Sequence, residues 1–297
     1  MISVYIPVYN SAAWAESFRL LPGFRYIASD NGSTDQTPDI LAAKGVEVVR
    51  QPANLGRVGN WEFCVSHFVK SGAEWMKWLF AGDELSPDSP AVLARAIAEN
   101  PGVSLIVGEY DISGANGTER WRMFPETRVI SPAESMRQAA QRGNWFGSPI
   151  GCCVHRNAVV NGFDFGGMDW VSDMRFCLNI AEKHHVLYLA ETLGTFSMAA
   201  RKYYSANASD LFSRAEELLT RREAAAKYLK LTDDKLGFEE MTTALRQEFT
   251  VALVRNVSGN WGEYPALQDS VIESLPGKKM ARALWHRLKG RVQGGAE

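Results

Sequence analysis

The chain opens with an unbroken apolar run, Ile2 to Val8, whose length and flanks predict a buried strand. Trp14, Phe18 and Leu21 follow at helical spacing, and Arg25 to Ser29 is a second strand running into the turn-rich string SDNGSTD. Thr37 and Pro38, a cap and a first-turn proline, open a helix that stops at Gly45. Val46 to Val49 is a third strand, and Trp61, Val65, Phe68 and Val69 mark a long helix closed by Ser71 and Gly72. Trp75 to Phe80 is a fourth strand, Pro90 opens another helix, and Val103 to Tyr110 is a fifth strand. Such alternation predicts an α/β fold with a mostly parallel sheet covered by helices on both faces.

The middle of the chain is less periodic. Asn116-Gly117 predicts a tight hairpin, Ser131-Pro132 with Glu134 opens a helix, Ile150 to His155 is a strand, Ser172 to Lys183 a helix and Val186 to Leu189 a strand. After about Ala206 only helical patterns remain, over Leu211 to Leu231 and Phe238 to Val257. The expected organisation is an α/β domain over 1–205, split into halves at 1–110 and 111–205, and a helical region over 206–297. Within the latter, Lys278 to Val292 is amphipathic: Met280, Leu284, Leu288 and Val292 recur every fourth residue among six basic side chains and no acid.

Composition narrows the classes. Of 297 residues, 46% are hydrophobic and 22% charged, which excludes disordered and low-complexity chains. A formal charge of -2 gives no general case for binding nucleic acid. Cys64, Cys152, Cys153 and Cys177 make no C-x-x-C pair, so reduced thiols are expected, with Cys152 and Cys153 on opposite faces of a strand. The N-terminus has no signal-like segment, and no run is long and apolar enough to cross a membrane, so a cytoplasmic location is expected.

In an open α/β sheet, ligands bind beyond the carboxyl ends of the strands. The polar residues expected there are Pro7, Tyr9 and Asn10 after the first strand, Asp30 after the second, Gln51, Asn54 and Arg57 after the third, and Gly82, Asp83 and Glu84 after the fourth. Asp30 suits a base-edge N–H, or else serves a turn. Asp83 suits a hard dication completed by diphosphate oxygens and water, or else caps a turn, and Gly82 permits close backbone approach. Asp173, early in a helix, suits a general base, or else complements the helix N-terminus. His184 and His185 are expected at a helix end, and His155 and Arg156 at a strand end that could face a ligand. Arg201, Lys202 and Tyr203 form a basic, aromatic loop able to close over a diphosphate, or a solvated linker. No G-x-G-x-x-G or Walker A pattern is present.

Taken in order, VYIPVYN, SDNGSTDQT, NLGRVGN, WLFAGDEL and WVSDMRF resemble the family 2 glycosyltransferases of GT-A fold over roughly residues 1–200. The resemblance implies an inverting transfer of a sugar from a nucleotide-diphosphate donor to an acceptor hydroxyl; Asp30 favours UDP or dTDP as the donor, and the basic terminal helix suits a glycan or lipid-linked saccharide acceptor in surface polysaccharide assembly. It implies that Pro7 and Tyr9 line the nucleotide pocket, that Asp30 binds the base, and that Gly56, Arg57 and Asn60 flank nucleotide and donor sugar. Asp83 corresponds to the final acid of the Mn²⁺ or Mg²⁺ motif and Asp173 to the base. Three departures stand out. The metal motif usually carries two acids but reads Ala81-Gly82-Asp83, and the usual Glu-Asp reads Ser172-Asp173. The family's histidine near Arg201 is replaced by Tyr203 or Tyr204. The basic terminal helix suits the anionic inner face of a membrane, or else packs on the core. The alternatives are a non-catalytic nucleotide-sugar or glycan binder and a sugar-phosphate nucleotidyltransferase, the latter disfavoured because PVYNSAAW is neither glycine-rich nor basic.

Overall fold

Ile2–Val8 forms β1, the strand about which the sheet is assembled, in a computed structural model that describes residues 1–166, 170–198 and 211–256. The elements that follow are α1 (Ala12–Ser17), β2 (Phe24–Asp30), α2 (Thr37–Ala43), β3 (Glu47–Arg50), α3 (Gly56–Ser71), β4 (Trp75–Trp78), β5 (Glu84–Leu85) and α4 (Ser89–Glu99). Then come β6 (Val103–Gly114), β7 (Gly117–Trp121), β8 (Arg128–Ile130), α5 (Pro132–Arg142), a 3-10 turn at Pro149–Gly151, β9 (Cys152–His155), α6 (Ser172–Ala181) and β10 (His185–Ser197). Two long helices, α7 (Leu211–Thr232) and α8 (Lys235–Asn256), complete the described chain.

One sheet runs in the order β3-β2-β1-β4-β9-β6-β10-β5, with β7 beside β6 and β8 beside β10. β1, β2, β3 and β4 are mutually parallel, as the alternation predicts. The fifth predicted strand, β6, does not lie next to β4. β9 enters antiparallel between them, pairing Lys77 with Cys153 on one side and Ile106 with Cys153 on the other. The sheet is therefore continuous across residues 110 and 111.

Strand alternation sorts side chains into two layers. Tyr5 of β1 joins Trp61, Phe68, Trp78, Met136 and Phe176 on the face covered by α3, α5 and α6. Val4, Ile6 and Val8 face α1 and α2, and Ile106, Leu187 and Leu189 face α4. Cys152 and Cys153 divide between the two faces as expected, and all four cysteines are buried and free. Ala224, Ala225 and Met241 belong to the same core cluster as Tyr5, so α7 and α8 pack as part of the first layer.

Several boundaries differ from the sequence reading. β4 ends at Trp78 because Phe80 to Asp83 is a tight turn, closed by Asp83 N–H donating to the Phe80 carbonyl at 2.9 Å. β10 extends to Ser197 rather than Leu189, past two register shifts where its apolar run is broken. His185 opens that strand instead of closing a helix. His155 and Arg156 are corrected more sharply. β9 runs opposite to β4, so His155 pairs with Trp75 at the start of β4, on the rim away from the strand carboxyl ends. The Arg156 guanidinium donates to the Val69 carbonyl there, at 3.1 Å. The amphipathic stretch from Lys278 to Val292 lies outside the described residues.

Candidate active site

The register of β1 with β2 and β4 brings Val8, Asp30 and Trp78 to one rim of the sheet. Asp30 is 0% exposed. One carboxylate oxygen accepts the Ser33 N–H at 3.2 Å, and the other lies 3.4 Å from Arg50 Nε with no hydrogen-bond partner. A buried acceptor in that condition is unusual and marks a place where an incoming N–H would be satisfied. Tyr9, the next residue but one after the Ser29-paired Pro7, is 47% exposed beside it.

The loops around Asp30 are fastened by polar side chains. Asn10, at φ +46, donates its backbone N–H to Ser33 Oγ and accepts the Thr34 N–H through its side chain. Asp35 accepts the backbone N–H groups of Ala12 and Thr37, joining the starts of α1 and α2. Burial pushes its carboxyl upward, but these bonds and the Thr37 hydroxyl outweigh that and hold it below the ordinary carboxylate range. Asn31 accepts from Leu55 N–H and donates to the Gly56 carbonyl, which ties DNGSTD to NLGRVGN.

Past that tie, α3 begins with Gly56 at φ +75, and the Arg57 guanidinium lies 5.0 Å from the Trp61 ring centre, a cation–π distance. Asn60 is placed differently from the rest. It is buried, its amide donates to the Ser29 carbonyl, and its oxygen accepts from the Ser29 hydroxyl, so it joins α3 to β2.

Beyond β4, Gly82 takes φ +100 in the turn, a conformation that side-chain-bearing residues resist. Asp83 is 2% exposed, its carbonyl accepts the Trp14 indole N–H at 3.1 Å, and its carboxylate accepts the Ser197 N–H at 3.2 Å. Among the described residues no three His, Cys, Asp or Glu side chains converge as a metal cage. A hard cation at Asp83 would take the bulk of its shell from phosphate oxygens and water, which suits Mg²⁺ or Mn²⁺.

Asp173, in the first turn of α6, borders an apolar recess walled by Trp61, Trp78, Phe80 and Phe165. Trp61 and Phe80 have ring centres 4.9 Å apart, and Phe165 stacks on Phe176 at 4.7 Å. The recess has room for little more than one water, so it is a wall behind Asp173 rather than a sugar cavity. Trp61 thus stands between Arg57 and Asp173. Arg201 and Lys202 lie outside the described residues, four and five positions after the residue that touches Asp83.

Two features of this rim carry no readable signal in the sequence. Lys77 is 0% exposed in β4, its ammonium donating to the Trp78 carbonyl at 2.9 Å and to that of Ile150. Burial draws its pKa down to about 8, with Cys153, Cys152 and Asp83 pulling the other way. Cys152 and Cys177 line the recess with their sulfurs 4.0 Å apart, and the hydrogen bond between them together with burial pushes the Cys177 thiol upward.

The family described as glycosyl transferase family 2 matches residues 3–163. No curated protein matches the chain. Among solved structures, residues 1–349 of TarS from S. aureus are 16% identical at a TM-score of 0.63, covering 95% of this chain and 82% of that one. The same protein in complex with UDP-GlcNAc gives 16% identity and a TM-score of 0.62, covering 95% and 83%. In a longer structure of TarS from S. aureus the chain spans 52% of that protein's chain. The mannosyltransferase PcManGT from Pyrobaculum calidifontis, in complex with GDP-Man and Mn²⁺, is 16% identical at a TM-score of 0.54, covering 97% of this chain and 84% of that one. These likenesses carry the fold, which is GT-A: a mixed, mostly parallel sheet with helices on both faces and helices at its C-terminal end. With the match running over more than half of its length, the chain belongs to glycosyl transferase family 2.

Proposed function

We propose that the protein is an inverting glycosyltransferase that moves a sugar from a nucleotide-diphosphate donor to an acceptor hydroxyl. What supports this reading is a buried Asp30 with an unsatisfied acceptor at the end of β2, Asp83 in the turn after β4, and Asp173 beside Trp61 and Phe80, of which Trp61 also holds Arg57. Residues 1–110 bind the nucleotide sugar, with Tyr9 and Pro7 beside the base and Asp30 accepting its N–H. Residues 111–205 receive the acceptor. Solved relatives are in complex with UDP-GlcNAc, UDP and GDP-Man, which supports a nucleotide donor here without selecting the base.

Asp173 removes the proton from the acceptor hydroxyl as its oxygen attacks the anomeric carbon. The bond to the donor phosphate breaks on the opposite face and the nucleoside diphosphate departs with the electron pair, inverting the configuration. Asp83 would hold the divalent cation, which when bound offsets charge on the departing diphosphate. Arg201 and Lys202, four and five positions after Ser197 in the sequence, would supply positive charge to the same phosphates.

The test is nucleotide release from UDP-GlcNAc or GDP-mannose with Mn²⁺. Asp173→Asn is expected to lower kcat by roughly 10²–10⁴ with donor binding retained. Asp83→Ala, or chelation of the metal by EDTA, is expected to abolish release. Donor binding with no release in any condition favours the second reading, a nucleotide-sugar-binding protein, which the single acid of Ala81-Gly82-Asp83 makes specific.

The acceptor we infer is a glycan or lipid-linked saccharide at the cytoplasmic membrane face, approached through the basic stretch 278–292. No helix among the described residues is long and apolar enough to cross a membrane. Flotation with anionic liposomes is expected to carry the full chain and to lose a truncation before Lys278.

A further inference from the structure

The base motif of this chain lacks the acid expected before Asp173 and has a buried Ser172 in its place. A carboxylate nevertheless reaches this corner, from α7. Glu216 is 6% exposed, and its Oε2 accepts the backbone N–H of Trp170 at 2.8 Å, just ahead of the first turn of α6. Val171 supplies no side-chain cap, and within the turn Asp173 Oδ1 accepts the Met174 N–H at 2.7 Å. The Glu216 bond therefore satisfies a backbone donor next to a helix start, where several N–H groups have no partner within the helix.

Glu216 is one of three contacts on a single side of α7. Glu223 Oε2 meets Arg175 Nη1 at 2.5 Å, and Lys227 reaches Glu182 and Asn179. Positions 216, 223 and 227 are seven and four apart, so they share one helix face. That face clasps α6 from its N-terminal approach to its last turn. The packing is close: a Cβ at Gly166 would lie 1.8 Å from Arg175 Nε, so Arg175 crosses directly over the backbone of that glycine. Asp173 sits between the Trp170 and Arg175 attachment points.

We propose that Glu216 is a positioning residue for the catalytic base: by holding the Trp170 N–H it fixes the approach to α6 and so the direction in which Asp173 points. The proposal rests on the glycosyltransferase reading of Asp173. Misplacing a reacting group by about 1 Å can cost up to roughly 10²-fold in rate. In the full-length chain, Glu216→Ala is expected to lower kcat for nucleotide release from UDP-GlcNAc or GDP-mannose with Mn²⁺ about tenfold or more. The donor KM should stay within about twofold, because the nucleotide is held by the β1–β4 half. Glu216→Gln keeps an oxygen acceptor and is expected to restore kcat to within about threefold of wild type. Amide exchange in the peptide spanning 170–176 should quicken about tenfold in Glu216→Ala and stay near wild type in Glu216→Gln. Should the alanine variant fail to fold, Glu216→Met, which keeps the bulk without the acceptor, supplies the same comparison. Unchanged exchange at 170–176, an unchanged kcat, or a glutamine variant as impaired as the alanine one overturns the assignment. If wild type releases no nucleotide at all, the transferase reading falls, and the exchange measurement alone decides whether Glu216 holds the segment.

Discussion

Lys77 is an ammonium group with no route to water, held by the carbonyls of Trp78 and Ile150. Its pKa falls from 10.5 to about 8 on folding. Below pH 8 both states are protonated and the folded one bears the cost of burying charge. Between the two values the unfolded chain binds the extra proton, so stability rises with pH. The window is wide enough for a shift of about 3 kcal/mol. Chemical denaturation of wild type and Lys77→Met across pH 8 to 10.5 should show wild type gaining relative to the variant; parallel curves would count against it. Asp30 makes a different prediction. Its replacement by Ala removes a charged acceptor facing the rim and should weaken nucleotide binding by roughly tenfold to a hundredfold, read by calorimetry with UDP and GDP. Asp30 is legible in the sequence because a strand ends on an acid before a glycine turn. Lys77 is not: WMKWLF reads as a strand with one polar position, and its burial is decided by a carbonyl that arrives at residue 150.

Among the elements, α1 to α4 and β1 to β4 follow from local pattern, since each has apolar spacing bounded by glycine, proline or a cap. β9 is the case where pattern stops short. Its four residues, CCVH, are legible as a strand but carry no alternation that states a direction or a neighbour. Its antiparallel entry is what sends His155 and Arg156 to the far rim. Nor does composition separate Glu216 from Glu217 in α7; one is buried against Trp170 and the other pairs with Arg214. Arg221 on the same helix is buried and joins three elements, donating to the Ala140 and Gln141 carbonyls of α5 and to Glu248 of α8. Removing it takes the donor from two α5 carbonyls, while Glu248 keeps Arg214 at 3.4 Å, so Arg221→Ala should cost about 1–3 kcal/mol in urea unfolding, more than an exposed ion pair such as Arg25–Glu47.

Over the molecule as a whole, the family match ends at residue 163, whereas the proposed base and its clasp lie beyond it. The C-terminal helices share the main core through Ala224, Ala225 and Met241, so a chain ended at residue 205 should lose cooperative unfolding and aggregate. A sharp thermal transition at the full-length midpoint would contradict that expectation. The antiparallel strand has a last consequence, for biosynthesis. While the polypeptide leaves the ribosome, β4 has a bare hydrogen-bonding edge flanked by Trp75 and Trp78 from the moment residue 78 emerges until residue 155 does. An unpaired, aromatic edge of that kind invites pairing with a neighbouring nascent chain. Recombinant yield should therefore depend on translation speed through residues 79–155, and slow codons there should send more of the product into inclusion bodies.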